Sequence, residues 1–262
     1  MNICLFEKSE INKPLKLNDE RSEHLLKILH KKEGDTFTAG IIDGKSGLAK
    51  IEKIVADKTA SDSGIYFSFE ETGDGKPLFP VKMIIGFPRP IQLKRLLRDI
   101  AALGVCEVHL TATELGEKSY LKSTLVEKGN AYKMLLDGTV QAGSTHVPSL
   151  YMHNSLTECL DQVQKGLGEA GEGQREDTQT LYLALDNVRP ECPLERAMDD
   201  SRKYGMTVAA IGSERGWTDK ERNLLESRGF KRCSMGERIM RTETAATVSG
   251  AIILNKLGFF GI

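Results

Sequence analysis

The amino-acid sequence predicts an α/β protein: a parallel sheet with helices on its faces from residue 76 onward, and a smaller β-rich region before it. Three observations carry this expectation. Through the last third of the chain, apolar runs alternate with amphipathic segments, the pattern of strand–helix–strand units whose strands pair in parallel. Residues 1–75 hold short apolar runs separated by turn signals, with little helical periodicity. Between the two regions, Glu71-Thr72-Gly73-Asp74-Gly75-Lys76-Pro77 is polar, glycine-rich and ends in proline, the composition of a linker.

In the N-terminal region, residues 36–42, 48–54 and 65–69 are strand candidates, with turn signals at Asp43-Gly44-Lys45 and at 62–64. Leu25, Leu26 and Leu29 recur at helical spacing and predict one short helix over 20–30. Short strands joined in this way predict a small barrel. After residue 80 the pattern changes. Residues 81–87 read as a strand; Leu93, Leu96, Leu97 and Ile100 share one face of a helix that Gly104 stops; residues 105–110 form the next strand. Helices are expected over 124–141 and 156–164, and the polar, glycine-rich stretch 166–179 reads as a surface loop. The remainder alternates: strand 181–185, helix 194–204, strand 207–211, helix 219–228, strand 230–234 and helix 242–257.

Hydrophobic residues make up 40% and charged residues 28% of the 262, enough apolar material for an ordinary core. No run approaches the roughly 18 consecutive apolar residues of a membrane-spanning helix. The N-terminus lacks the basic-then-apolar order of a signal peptide. A cytoplasmic protein with no membrane partner is expected. The five cysteines (Cys4, Cys106, Cys159, Cys192 and Cys233) contain no C-x-x-C pair, so reduced, buried thiols are expected. The five histidines show no metal-ligand spacing, and no metal is expected. With a formal net charge of −1, a nucleic-acid partner requires a local basic patch.

Ligands of parallel sheets sit beyond the carboxyl ends of the strands. Those ends are Leu185-Asp186-Asn187, the loop 212–217 and the loop 235–238. The second loop runs into Thr218-Asp219-Lys220-Glu221, which has the form of a capping box. Its two glycines permit close approach of a ligand to the backbone. In the third, Thr242 is a plausible N-cap and Glu243 suits the first helical turn. Arg241 does not: an arginine there opposes the helix dipole at a cost of up to about 1 kcal/mol unless it faces an anion. Neither the G-x-G-x-x-G nor the G-x-x-x-x-G-K-[ST] fingerprint is present, which argues against a nucleotide-dependent oxidoreductase.

The segments IGSERGWTDKE and MGERIMRTETAATVSGAIILNKLG resemble the 16S ribosomal RNA uridine-N3 methyltransferase family (RsmE), of the SPOUT class. The matching residues are Gly212, Glu214, Gly216, Trp217, Thr218 and Glu221, then Gly236, Arg238, Ile239, Arg241, Thr242, Glu243, Thr244 and Ala245. HLLKILHKKEGDTFTAGIIDG resembles the family's N-terminal RNA-binding barrel, and LKRLLRDIAALGV the opening of its catalytic domain. The resemblance implies a PUA-like barrel over 1–75 and a SPOUT domain with a C-terminal trefoil knot over 76–262. It also implies a homodimer, S-adenosyl-L-methionine as cofactor, and 16S ribosomal RNA or the small ribosomal subunit as partner. Departures from the family pattern include Ser213, Arg215, Val140 and Ser144, with Ile28-Leu29-His30 in place of V-L-R in the barrel and Ala102-Leu103-Gly104-Val105 in place of E-L-G-V.

The implied cofactor-binding residues are Leu185, Gly212, Glu214, Gly216, Met235, Gly236, Ile239, Met240, Thr242 and Thr244. Transfer to N3 of uridine requires loss of the imide proton. Arg241 is assigned to stabilise the developing negative charge, and Glu214 to accept the proton or orient the cofactor. The basic stretch Lys82, Arg89, Lys94, Arg95 and Arg98 is expected to contact RNA, extended by Lys27, His30 and Lys31. The competing reading is a catalytically altered paralogue that binds RNA, aids ribosome assembly or methylates another position.

Overall fold

The computed structural model describes residues 2–11, 13–56, 63–122, 129–169, 179–198 and 204–260. The chain divides into two compact units, one of Met1–Pro77 with Asp137–Val147 and one of Leu78–Leu136 with Pro148–Ile262.

In the first unit, β1 (Cys4–Phe6), β2 (Thr36–Ile41), β3 (Ser46–Val55) and β4 (Gly64–Gly73) form a four-stranded sheet in that order. β1 is parallel to β2, and the other neighbours are antiparallel. On β3, Gly47, Ala49 and Ile51 are buried while Leu48, Lys50 and Glu52 are exposed, the period-two pattern of a sheet with one wet face. Phe6, Leu25, Phe37, Ile51 and Ile65 fill the core beneath. β1 escaped the sequence reading because three residues are too few to show a period. Part of the expected linker is strand instead: Glu71 pairs with Gly47 and Gly73 with Ser46, since an exposed face accepts polar residues. The predicted helix is α1 (Glu20–Glu23), which continues as a π-helical turn over His24–Ile28. Leu25 is buried there, but Leu29, beyond the turn, is exposed.

The second unit is built on seven strands: β5 (Phe79–Gly86), β6 (Val105–Thr111), β7 (Ser149–His153), β8 (Gln179–Leu185), β9 (Cys192–Pro193), β10 (Tyr204–Ile211) and β11 (Lys231–Ser234). Their order is β7-β6-β5-β10-β8-β11-β9, and every pairing is parallel. A parallel sheet is covered on both faces, so its strands read as nearly continuous apolar runs. β5 conforms, buried without break from Val81 to Gly86. The remaining helices are α2 (Pro90–Leu103), α3 (Asn130–Ala142), whose residues from Asp137 onward belong to the first unit, α4 (Leu156–Glu169), α5 (Leu194–Ala197), α6 (Asp219–Ser227) and α7 (Thr242–Lys256). α2 buries Leu93, Leu96, Leu97 and Ile100, as its periodicity predicts, and ends on Gly104 in the left-handed region.

α7 packs against α2 and β5. Its small residues have a structural reason here. A Cβ on Gly250 would come within 2.8 Å of the Met83 methyl group and 3.0 Å of a Leu103 methyl group, so a larger residue would have to displace these side-chain ends.

Three helical expectations need correction. α5 covers only Leu194–Ala197 of the expected 194–204; residues 199–203 lie outside the described residues, and Tyr204 already begins β10. α3 begins at Asn130, with 124–128 outside the described residues. α4 runs on to Glu169, into the expected loop, whose residues 170–178 are outside them too. β7 and β9 were not anticipated; both are short and neither carries a clear alternation. All five cysteines are free, and burial pushes the thiols of Cys4 and Cys233 up to about 12. Among the described residues, no helix is long and apolar enough to cross a membrane.

Candidate functional site

Strands β10, β8 and β11 are neighbours, and their register places Ile211 opposite Leu185 and Leu185 opposite Cys233. The three loops that follow therefore leave the sheet side by side, although up to about fifty residues of sequence separate them. They enclose a cavity of about 240 Å³. Its apolar wall comes from Leu185, Ile211, Met235, Ile239 and Met240, and its polar groups from Asn187, Ser213, Glu214 and Arg215.

Internal bonds hold the loops in place. Trp217, 2% exposed, donates its indole N–H to the Leu185 carbonyl at 3.1 Å. The Asp186 amide donates to the Cys233 carbonyl at 2.9 Å. The Thr242 hydroxyl donates to the Gly212 carbonyl at 3.3 Å. The capping box at Thr218 and Glu221 is present as expected, and the second Glu221 carboxylate oxygen accepts the Glu114 amide at 2.9 Å. Gly86, at the end of β5, is the closest approach: a Cβ there would stand 2.4 Å from the Ser213 backbone nitrogen.

Beneath the cavity lies a buried ion pair that sequence reasoning missed. Arg222 Nε donates to Asp186 Oδ2 at 2.6 Å and an outer guanidinium nitrogen reaches Oδ1 at 3.3 Å, with side chains 8% and 3% exposed. Burial pushes the Asp186 carboxyl up. The Arg222 hydrogen bonds, the Val188 amide and the charges of Arg222 and Arg232 outweigh that and hold it below the ordinary value. Asp186 was visible as a strand end, but its partner is 36 residues away and on another element.

Of the expected cofactor residues, Leu185, Gly212, Glu214, Gly216, Met235, Ile239, Met240 and Thr242 line this cavity. Gly236 stands in the adjoining turn with φ 102°, and Thr244 is exposed on α7; neither lines the cavity. Thr242 is not the N-cap. That position is Arg241, whose side chain makes no cap bond, and Thr242 is the first helical residue with its hydroxyl turned to Gly212. Arg241 is exposed and outside the lining, and among the described residues its guanidinium has no ion-pair or hydrogen-bond partner. Glu243 is buried in the first turn. Arg215, flagged as out of pattern, does not take a positive φ; the left-handed residue of this loop is Gly216, at φ 72°.

The expected RNA contacts divide between the units. In the first, Lys27 pairs with Glu23 at 2.7 Å, His30 adopts φ 51°, and Lys31 lines a groove with Leu29, Phe37 and Leu48. In the second, Arg89 caps α2 and its Nε bonds Glu214 at 3.1 Å, a partly exposed pair. The Glu214 charge and hydrogen bond, with Tyr120, raise the Arg89 guanidinium further above its ordinary value. Lys94 and Arg95 are exposed and Arg98 half-buried. Lys82 must be withdrawn from the set: it is 6% exposed and pairs with Glu107 at 2.9 Å, because β5 is an interior strand.

Histidines distant in sequence also meet. His109 Nε2 lies 3.0 Å from Glu107, and His109 Nδ1 lies 3.0 Å from His153 Nε2, with Cys159 on α4 close by. The imidazole planes are 16° apart and the centroids 5.2 Å, an end-to-end arrangement in which the two nitrogens address each other rather than a common centre. Parallel pairing of β6 with β7 produces this cluster, so no spacing along the chain could show it.

The parallel sheet, with three loops closing a cavity at adjacent strand ends, lies within an RNA methyltransferase domain: the family model of that description matches residues 75–254. It is 37% identical to the ribosomal RNA small subunit methyltransferase E of Treponema pallidum, over 97% of this chain and 91% of that protein. It is 30% identical to ribosomal RNA small subunit methyltransferase E 1 of Borreliella burgdorferi, over 98% and 99%. The chain belongs to the ribosomal RNA small subunit methyltransferase E family. Its fold matches the crystal structure of a ribosomal RNA small subunit methyltransferase E from Neisseria gonorrhoeae bound to S-adenosyl methionine, with a TM-score of 0.72 at 19% identity and 97% coverage of both chains.

Proposed function

We propose that this protein is an S-adenosyl-L-methionine-dependent methyltransferase that modifies N3 of a uridine in 16S ribosomal RNA. Family membership supports ribosomal RNA methylation, and one structural observation carries the assignment of the site: the loops after β8, β10 and β11 enclose a single cavity. Its walls fit the cofactor. Leu185, Ile211 and Met240 offer apolar contact for an adenosine, and Glu214 puts a carboxylate near a ligand that carries a sulfonium cation. When bound, that cofactor supplies an electrophilic methyl group.

The chain's own residues do the rest. Fixed loop backbones hold the two reactants in line, which is most of what such a displacement needs. Arg241, exposed and without an internal partner among the described residues, is available to a negative charge developing on the uracil ring or to a neighbouring phosphate. Glu214, already in contact with Arg89, is assigned to accept the imide proton or orient the cofactor. Lys27, His30, Lys31, Arg89, Lys94, Arg95 and Arg98 are assigned to the RNA. The same reading includes a PUA-like barrel over 1–75, a trefoil knot within 76–262, a homodimer and a cytoplasmic location.

Mapping of methylated nucleotides in small-subunit RNA by mass spectrometry, with and without the protein, tests the proposal. The expected result is one protein-dependent N3-methyluridine. Cofactor binding without any modified nucleotide refutes catalysis and supports the RNA-binding paralogue. Sedimentation of the purified protein tests the dimer.

A further inference from the structure

Two of the five cysteines stand directly opposite each other. In the register of β9 and β11, Cys192 is the partner of Cys233. Neighbouring strands run about 4.7–4.9 Å apart, and a disulfide joins Cα atoms about 4.4–6.8 Å apart. Registered partners of a parallel pair also send their side chains to the same face of the sheet. The backbone therefore meets both requirements for a bridge, while both thiols are free. The other three cysteines have no such neighbour: Cys4 is registered opposite Ala39, Cys106 donates to the Val81 carbonyl at 3.3 Å, and Cys159 lies on α4.

The surroundings give the two sulfurs different roles. Cys192 is half-buried on β9, the edge strand of the sheet and only two residues long, so a small oxidant reaches it first. Cys233 is fully buried, and burial followed by the neighbouring Cys192 pushes its thiol up to about 12. Its S–H makes two long contacts, at 3.7 Å to the carbonyls of Ala184 and Lys231. A thiol is a weak donor, so a turn about χ1 gives these up cheaply.

Both cysteines adjoin the cavity wall. Asn187 and Val188 line the cavity and lie a few residues before Cys192; Met235 lines it two residues after Cys233. The Cys233 carbonyl also accepts the Asp186 amide at 2.9 Å. Closing a bridge requires the Cβ atoms to approach to about 3.8 Å. Whichever strand moves, its chain continues into that wall.

We propose that Cys192 and Cys233 form a dithiol that hydrogen peroxide converts to an intramolecular disulfide, and that the disulfide weakens binding in the adjacent cavity; the second part rests on the cofactor reading above. The Cys192 thiolate attacks one peroxide oxygen, the O–O bond breaks, and hydroxide leaves and is protonated to water. The resulting sulfenic acid is attacked by the Cys233 sulfur. The S–S bond forms, the S–O bond breaks, and the Cys233 proton departs with hydroxide as a second water. Two thiols are oxidised and one peroxide is reduced to two waters.

The experiment treats the reduced full-length protein with hydrogen peroxide and maps its peptides by mass spectrometry without reductant. The expected product is a Cys192–Cys233 cross-linked peptide lighter by two hydrogens, reversed by dithiothreitol. Titration calorimetry with S-adenosyl-L-methionine should show affinity about three- to tenfold weaker after oxidation, the equivalent of one neutral hydrogen bond to the ligand. Dithiothreitol should restore it, and peroxide-treated Cys192→Ser should keep the affinity of the untreated variant. Oxidation that stops at a sulfinic Cys192 without a cross-link, no oxidation of either residue, or a cross-linked protein with the affinity of the reduced form overturns the inference. If the reduced parent binds no S-adenosyl-L-methionine, the cofactor reading fails, while the mass map still decides whether the disulfide forms.

Discussion

Replacing Asp186 by alanine removes the carboxylate beneath the cavity and leaves the Arg222 guanidinium buried. Two charge-assisted hydrogen bonds, at 2.6 and 3.3 Å, are lost. Breaking a buried pair by deleting one partner costs about 3–5 kcal/mol, because the surviving charge stays desolvated. Arg222 keeps one other contact, to Asp219 at 3.0 Å, but that carboxylate is 62% exposed and compensates only in part. The expected loss is therefore near the lower bound, about 3 kcal/mol. For a domain of 150–250 residues this lowers the melting temperature by about 6–12 °C. Calorimetric melting of the full chain measures it, and cofactor affinity should fall in the same variant because Asp186 and Arg222 both border the cavity. The double variant Asp186→Leu with Arg222→Met should be less destabilised than Asp186→Ala, since an apolar pair of similar volume leaves no charge behind. A loss below about 1 kcal/mol in the alanine variant, or a double variant costing the full sum of the single changes, refutes this account of the pair.

Stability should also fall on acidification. Burial and the neighbouring His109 hold His153 below the ordinary histidine value of 6.5, so the folded protein keeps it neutral. Its contribution is complete above that value and is lost as the pH falls toward its folded pKa. Asp186 and Glu107, also held low in the folded state, extend the loss below the ordinary carboxylate values of 3.8 and 4.5. Denaturant midpoints between pH 8 and pH 4 test this, and a flat profile contradicts it. Gly86→Ala should cost about 1–3 kcal/mol and weaken cofactor binding, because its Cβ meets the Ser213 backbone at 2.4 Å; an unchanged melting temperature counts against the close approach. Arg241→Ala should lower methylation about 100-fold or more while leaving cofactor affinity close to the parent's, as expected for a group that acts on developing charge; steady-state kinetics with RNA decide this. RNA affinity should fall steeply with salt, and Lys94→Ala with Arg95→Ala should reduce the slope of log K against log salt by about two; a salt-independent affinity removes these residues from the interface.

What could be read from the chain was whatever local chemistry encodes. The amphipathic face of α2, its glycine stop and the Thr218 capping box involve residues within a few positions of one another, and all stand where their spacing put them. The alternation of strands and helices likewise specified a parallel sheet before its order was known. The third loop was read less well. Thr242 has good capping chemistry, yet its hydroxyl is drawn to the Gly212 carbonyl, a partner thirty residues away. Lys82 looked like part of a basic stretch because a sequence does not show that β5 is an interior strand, where a lysine must be paired, here with Glu107.

By itself, then, the sequence determined the secondary elements with clear periodicity and the loops at the strand ends, but not that Asp137–Val147 joins the N-terminal unit. The tertiary structure decided which of those loops are neighbours, through the strand order β10-β8-β11. It also decided which polar groups are paired beneath them, Asp186 with Arg222. The physical reason is the range of the interactions. Propensity and capping act over one or two turns and leave their mark along the chain, whereas burial and pairing depend on what packs across the sheet, which no spacing records.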